Sequence, residues 1–242
     1  MSPETWRLIP VLRSPGRVQM ALDTWLLEQH RLGLHPPTLR FYTWSPAAIS
    51  LGYHQRHVPE HWQHLTWQGE KIDLVRRPTG GRAVLHQGDL TYTVVMSAPK
   101  GSRVEVYRSI CEFLIEGWRT LGVELRYGTG DRNYIRACNC FETATSADLV
   151  APGGEKFIGS AQLRRGHAIL QHGSIGLNPN SELFAHVFGS PTSSVPIAHL
   201  HRDGDFLQTV VESLTKAACC CFNAQFSTQP LSAQEWENVN EE

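Results

Sequence analysis

Apolar residues recur at helical spacing at Val18, Ala21, Leu22, Trp25 and Leu26, with Gln29 closing the series. The segment opens after Ser14-Pro15-Gly16 and stops at Gly33, which predicts an amphipathic helix. After Pro36-Pro37, Leu39, Phe41 and Thr43 alternate with Arg40, Tyr42 and Trp44, and Ala47–Leu51 predicts a second short strand. Further strands are predicted at Ile72–Arg76, Ala83–His86 and Leu90–Met96, the last rich in β-branched and aromatic side chains. Between Val104 and Leu121 the positions Val106, Ile110, Phe113, Leu114, Gly117 and Leu121 trace one helical face, and Gly122 caps it. Residues 128–146 show no period. Strands near 147–151 and 156–164 flank the turn Pro152-Gly153-Gly154, and Arg165-Gly166 turns into a strand over Ala168–Leu177. Ser181–Phe188 and Phe206–Cys221 read as helices, and the polar residues 233–242 are expected to form a loosely packed C-terminal tail. Strands in hairpin order with helices between them predict an α+β fold, a mixed, mainly antiparallel sheet with helices packed against it.

A chain of 242 residues suits one domain, so residues 1–242 are expected to fold as a single unit. Lys+Arg is 22 against Asp+Glu 23, which removes the basic excess expected of a nucleic-acid binder. No run reaches the ~18 apolar residues of a membrane span, and charges interrupt the N-terminal apolar run, so neither a membrane segment nor a signal peptide is expected. The cysteines are Cys111, Cys138, Cys140 and the run Cys219-Cys220-Cys221, with no CxxC pair. Free thiols in a reducing cytoplasm are the expectation, with Cys111 and the Cys219–Cys221 run read as structural packing and no metal site. The cations are mostly arginine, so the lysines Lys71, Lys100, Lys156 and Lys216 stand out.

Three segments carry candidate chemistry. In Arg76-Arg77-Pro78-Thr79-Gly80-Gly81-Arg82-Ala83-Val84-Leu85-His86, two glycines between strands let backbone approach a ligand, and loop N–H groups can cradle an anion or an oxyanion. An exposed hairpin with arginines explains the same pattern. In Gly154-Glu155-Lys156-Phe157-Ile158-Gly159-Ser160-Ala161-Gln162, a lysine flanked by apolar residues can point into a cleft and polarise a carbonyl, or lie on a solvated hairpin. In Ala137-Cys138-Asn139-Cys140-Phe141-Glu142, a loop thiol beside a cation suits nucleophilic catalysis, and a small buried hydrophobe is the alternative. His86 and His172 each sit on a strand beside one of these segments and are candidates for the cleft.

Taken in order, the motifs resemble the biotin/lipoate A/B protein ligase family. Met20-Ala21-Leu22-Asp23 with Leu26-Leu27 resembles its first helix. Phe41-Tyr42-Thr43-Trp44-Ser45-Pro46 through Ser50-Leu51-Gly52-Tyr53-His54-Gln55 resembles its "W-x-P…SLG-x-x-Q" strand pair. Arg76–His86 resembles the "RRP-[ST]-GG-x-AV-x-H" acyl-binding loop, Lys156 with Gly159-Ser160-Ala161-Gln162 the "K-[IV]-x-GSAQ" strand, and Gln171-His172-Gly173-Ser174-Ile175 the "QHGSI" strand. The likeness spans about residues 6–190. It implies a class II aminoacyl-tRNA synthetase/biotin–lipoate ligase-like catalytic domain that moves a lipoyl or medium-chain acyl group onto a lysine of a carrier domain.

ATP-dependent lipoate ligases share these motifs but usually carry GGG where this chain has Gly80-Gly81-Arg82. The family's cysteine-dependent octanoyltransferases carry a "CF-[DE]" stretch that Cys140-Phe141-Glu142 resembles, with Cys138 as the near neighbour. That resemblance implies Cys140 and Lys156 as catalytic residues. It implies Arg77, Thr79, Gly80, Gly81, Arg82, His86, Gly159, Ser160, Ala161, Gln162 and His172 around the substrate, with no cofactor. The implied donor is octanoyl acyl carrier protein, and the implied acceptors are lipoyl domains or the glycine-cleavage H protein. A thioester donor calls for a nucleophile, whereas a ligase activates a free acid with ATP and needs none. A lipoate ligase, an amidotransferase between lipoyl domains and a non-catalytic acyl-binding module stand as the alternatives.

Overall fold

Alternation along three adjacent strands decides which side of the sheet becomes a core and which becomes a site. The computed structural model describes residues 2–129, 147–190, 195, 197 and 205–240. Along the chain run β1 (Glu4–Ser14), α1 (Gly16–Arg31), β2 (Thr38–Trp44), β3 (Ala48–Leu51), a 3₁₀ turn at Glu60–His64, β4 (Thr66–Trp67), β5 (Glu70–Lys71), β6 (Asp73–Arg76), β7 (Val84–His86) and β8 (Asp89–Ser97). Then follow α2 (Arg103–Thr120), β9 (Arg126–Tyr127), β10 (Leu149–Val150), β11 (Lys156–Arg165), β12 (Ala168–Gly176), α3 (Ser181–Phe188), α4 (Phe206–Cys221), β13 (Ala224–Thr228) and α5 (Ala233–Asn240). The main sheet has the order β13-β1-β2-β8-β12-β11-β10-β9, and a smaller one has the order β6-β3-β7. Within the main sheet β1 pairs in parallel with β13 and β2, and every other pairing is antiparallel. The fold is therefore α+β with a mixed, mainly antiparallel sheet.

On one face Leu39 and Phe41 of β2, Tyr92 and Val94 of β8, and Ile169 and Ile175 of β12 pack under α2 and α4. The intervening residues turn to the other face, toward α1: Arg40 and Tyr42, Thr91 and Thr93, His172 and Ser174, all buried. Along α1, Leu22, Trp25 and Leu26 join Val95 and Leu170 in the apolar part of that second face. What remains under α1 is a buried layer rich in polar groups, an arrangement that needs hydrogen-bond partners throughout.

Two terminal expectations are corrected. Residues 233–240 are not a loose tail: they form α5, whose Val239 is 1% exposed against α1. The anchor is electrostatic as well, since Arg7 Nη1 reaches Glu235 Oε1 at 2.6 Å and Nη2 reaches Oε2 at 3.0 Å. Burial would raise the Glu235 carboxyl, but Arg7 and the Ser232 backbone N–H outweigh it and hold the group at about 2. The Cys219-Cys220-Cys221 run is not core packing: the buried face of α4 is Val210, Val211, Leu214 and Ala218, and Cys220 and Cys221 are exposed beyond it. Among the described residues no helix is long and apolar enough to cross a membrane.

Candidate active site

The segment between β6 and β7 is held as a loop by its own first arginine. Arg77 Nη2 donates to the carbonyls of Gly80 and Arg82 at 2.8 and 2.7 Å, Nε donates to Gly80 O at 3.2 Å, and Nη1 donates to Ser50 O at 2.8 Å. The Arg77 side chain thus organises the loop, although it also borders the cavity beneath. Gly81 has φ +98°, a left-handed conformation that only glycine adopts without strain, and a Cβ there would lie 2.7 Å from Arg77 Nη2. Gly52 supports it from β3's end: a Cβ on Gly52 would come within 1.8 Å of the Gly81 carbonyl oxygen. Replacing Gly81 by valine is therefore expected to destabilise the protein by about 1–3 kcal/mol from backbone conformation alone. Denaturant unfolding measures this, and an unchanged midpoint would mean that the loop relaxes freely.

Beneath the loop lies a cavity of about 120 Å³. Its apolar wall comes from Met20, Tyr42, Trp44 and Val84, and the rest of its lining includes Gly80 and Gly81 of the loop and Gly159 to Ala161 of β11. His86 and His172 also border it, with Asp148 at one side. A mostly apolar cavity with a few convergent polar groups is the usual form of a small-ligand site.

Lys156 begins β11 and is 6% exposed, not on a solvated hairpin. Its Nζ lies 2.8 Å from Asp148 Oδ1. The pairing of β10 with β11 shifts register between Leu149↔Ile158 and Val150↔Lys156, an irregularity of the kind that re-aims side chains beside a site. The spacing to Gly159 has a steric reason: a Cβ on Gly159 would lie 2.8 Å from Lys156 Cε and 3.0 Å from Nζ. Glycine three residues on leaves the lysine room to lie back over its own strand toward Asp148.

The two histidines that border the cavity have both ring nitrogens partnered. His172 Nδ1 lies 2.7 Å from Asp23 Oδ2 and its Nε2 lies 2.6 Å from Thr79 Oγ1. Burial alone would raise the Asp23 carboxyl, but Arg40, His172 and Thr93 outweigh it and keep it below the ordinary carboxylate range. His86 Nδ1 lies 2.8 Å from Asp89 Oδ2, its Nε2 lies 2.8 Å from Ser50 Oγ, and its ring stacks on Trp44 at 3.8 Å between centroids. Burial pushes the His86 pKa down, and neighbouring Asp89 only partly offsets it.

A histidine with a depressed folded pKa binds fewer protons folded than unfolded, so its contribution to stability is present above about 6.5 and is lost as pH falls below that value. Melting temperature should therefore fall on acidification from pH 7 toward 5, and less steeply in His86→Gln. Parallel curves for the two proteins would remove His86 as the cause.

Of the sequence-predicted residues, Arg77, Gly80, Gly81, His86, Gly159, Ser160, Ala161 and His172 come together at this one cavity. Thr79 lies behind it, 1% exposed, against His172. Gln162 points along the sheet to Gln171 Oε1 at 2.9 Å, and Arg82 offers its carbonyl to Arg77. Cys138 and Cys140 lie outside the described residues. Cys111 is core, as its helical position predicts, with burial raising its thiol to about 12. The sequence pattern missed the three aspartates Asp23, Asp89 and Asp148. One signal was available for Asp23, which stands in the apolar stripe of α1 between Met20 and Leu27, where an unpaired carboxylate would be costly.

The family described as "Lipoyl protein ligase A/B catalytic domain" matches residues 15–215. The chain is 37% identical over 226 residues to Octanoyltransferase LipM of Geobacillus kaustophilus, covering 89% of this chain and 80% of the relative. It is 40% identical over 205 residues to Octanoyltransferase LipM of Moorella thermoacetica, covering 81% and 73%. Among solved structures, lipoate-protein ligase A bound with ATP superposes with a TM-score of 0.79 at 23% identity, over 100% of this chain and 94% of that one. A bi-partite lipoate protein ligase from Thermoplasma acidophilum, described with its E2 lipoyl domain, gives 0.72 at 22% identity over 98% and 91%. At these identities the structures establish a shared fold.

Proposed function

The chain belongs to the lipoyl protein ligase A/B catalytic domain family, and from that premise we propose that it takes octanoyl from an acyl carrier protein and delivers it to a lysine of a lipoyl domain or a glycine-cleavage H protein. It is an acyltransferase of protein lipoylation. The observation that carries this is the 37–42% identity to octanoyltransferases over most of the chain.

The proposed chemistry has two halves. The Cys140 thiolate attacks the carbonyl carbon of the carrier thioester. The tetrahedral oxyanion collapses, the carrier sulfur leaves as a thiol after taking a proton, and an octanoyl thioester on Cys140 remains. The acceptor lysine, whose free pKa is about 10.4, loses a proton and attacks that thioester. The added nitrogen gives up a second proton to solvent as the tetrahedral adduct collapses, so that an amide forms and the Cys140 thiolate departs.

Lys156, held at 2.8 Å from Asp148 beside the cavity, supplies positive charge near the reacting carbonyl. Hydrogen-bond donors aimed at a developing oxyanion are worth about 3–4 kcal/mol each in other enzymes. The apolar wall formed by Met20, Tyr42, Trp44 and Val84 takes the acyl chain, each buried CH₂ contributing about 0.8 kcal/mol.

The test is to offer an apo lipoyl domain two acyl sources, octanoyl carrier protein alone, or octanoate with Mg-ATP. Modification from the carrier thioester without ATP is expected. Modification only with octanoate and Mg-ATP would replace transfer by ligation.

A further inference from the structure

Two carboxylate–imidazole–hydroxyl relays flank the acyl cavity, and in both the imidazole has no ring nitrogen left for a reacting group. Asp23 Oδ2 stands at His172 Nδ1, and Thr79 Oγ1 stands 2.6 Å from His172 Nε2. Asp89 Oδ2 stands at His86 Nδ1, and Ser50 Oγ stands 2.8 Å from His86 Nε2. When a carboxylate accepts a hydrogen bond from Nδ1–H, a neutral ring keeps only the Nε2 lone pair, and here a buried hydroxyl occupies it.

Both relays end on the same loop. The first reaches it directly at Thr79, which is 1% exposed. The second reaches it through Ser50, whose hydroxyl and carbonyl accept from Arg77 Nη1 at 3.2 and 2.8 Å. Each relay starts on an element of the rigid scaffold: Asp23 on α1, and Asp89 on β8. Asp23 also accepts from Tyr42 and Thr93, and Asp89 also accepts from Thr91 and Ser174. Each carboxylate is thus locked before it orients its histidine. Arg77 in turn donates to the Gly80 and Arg82 carbonyls, so Gly80 and Gly81, which line the cavity, are held between Thr79 on one side and the Arg77 guanidinium on the other. Glycines carry no side chain to fix them, so the geometry of this stretch must come from its neighbours.

We infer that Asp23–His172–Thr79 and Asp89–His86–Ser50 are paired positioning relays that hold the Gly80–Gly81 backbone at the geometry that binds the acyl chain, and that neither histidine carries a proton in the reaction. The inference rests on octanoyl transfer as the reaction and adds to it the residues that shape its acyl site.

Thr79→Val removes the hydroxyl at nearly constant shape, and Thr79→Ser keeps it. In the full-length protein, Thr79→Val should raise amide hydrogen exchange across residues 77–82 about tenfold, the scale of one net hydrogen bond. It should raise KM for octanoyl carrier protein about tenfold with kcat within about threefold, and Thr79→Ser should return both quantities to within about threefold of wild type. Ser50→Ala should reproduce the Thr79→Val pattern from the other side. Exchange unchanged in Thr79→Val overturns the inference. So does a fall in kcat at constant KM, which would make His172 a proton carrier. A wild-type protein that transfers no octanoyl from the carrier refutes the proposed reaction instead, and the exchange measurement still decides whether the relays hold the loop.

Discussion

Mixed with octanoyl carrier protein and no acceptor, the protein is expected to gain the mass of one octanoyl group, carried on Cys140. Hydroxylamine should release it, because hydroxylamine cleaves thioesters, and ATP should be unnecessary throughout. The physical basis is that donor and intermediate are both thioesters of nearly equal energy, so exchange needs only a thiolate, access and stabilisation of the oxyanion. Cys140→Ala should show no adduct and lose at least about 10³-fold in transfer, since removing a nucleophile removes the path. Cys138→Ala should keep both adduct and transfer. An adduct mapped to Cys138 would preserve the covalent mechanism and overturn the assignment of Cys140. Absence of any adduct, together with strict ATP dependence, would make the protein a ligase.

Lys156→Ala should lower turnover at least ~100-fold, the usual cost of losing one charge-stabilising donor. The buried contact with Asp148 adds a second consequence. Removing one partner of a buried ion pair costs about 3–5 kcal/mol of stability, so the variant should also melt earlier. The two effects separate by experiment. Single-turnover transfer measured well below the melting transition reports the chemistry, and denaturant unfolding reports the pair. Lys156→Arg keeps a cation and should recover much of the stability. It should remain slow, because a planar guanidinium does not place its charge where a compact ammonium does. Transfer within a few-fold of wild type in folded Lys156→Ala would reduce Lys156 to a structural partner of Asp148.

The helices at Gly16–Arg31, Arg103–Thr120, Ser181–Phe188 and Phe206–Cys221 and the strands around the site were legible because each carries its own period or punctuation. Gly81 was legible for the same kind of reason, since two adjacent glycines between strands announce a conformation other residues resist. β1 and β13 carry no such local signal. β1 alternates weakly, and its parallel partners, β2 and β13, come from opposite ends of the chain. Residues 233–240 looked like a tail because one apolar contact at Val239 and one ion pair at Glu235 hold them, and both partners are remote in sequence.

The sequence by itself determined the local elements, the family resemblance and the residue types that could do acyl transfer. Those properties rest on interactions within a few residues of one another and on ordered motifs. The tertiary structure alone decided what each side chain does. Arg77 braces the loop because Gly80, Arg82 and Ser50 offer carbonyls around it. His86 and His172 lose their free nitrogens because Asp89, Ser50, Asp23 and Thr79 converge from α1, β3, β8 and the loop. Lys156 finds Asp148 because an irregular β10–β11 pairing brings the two together. Hydrogen bonds and ion pairs act over about 3 Å in space, and no spacing along a chain encodes which distant residue will occupy that distance.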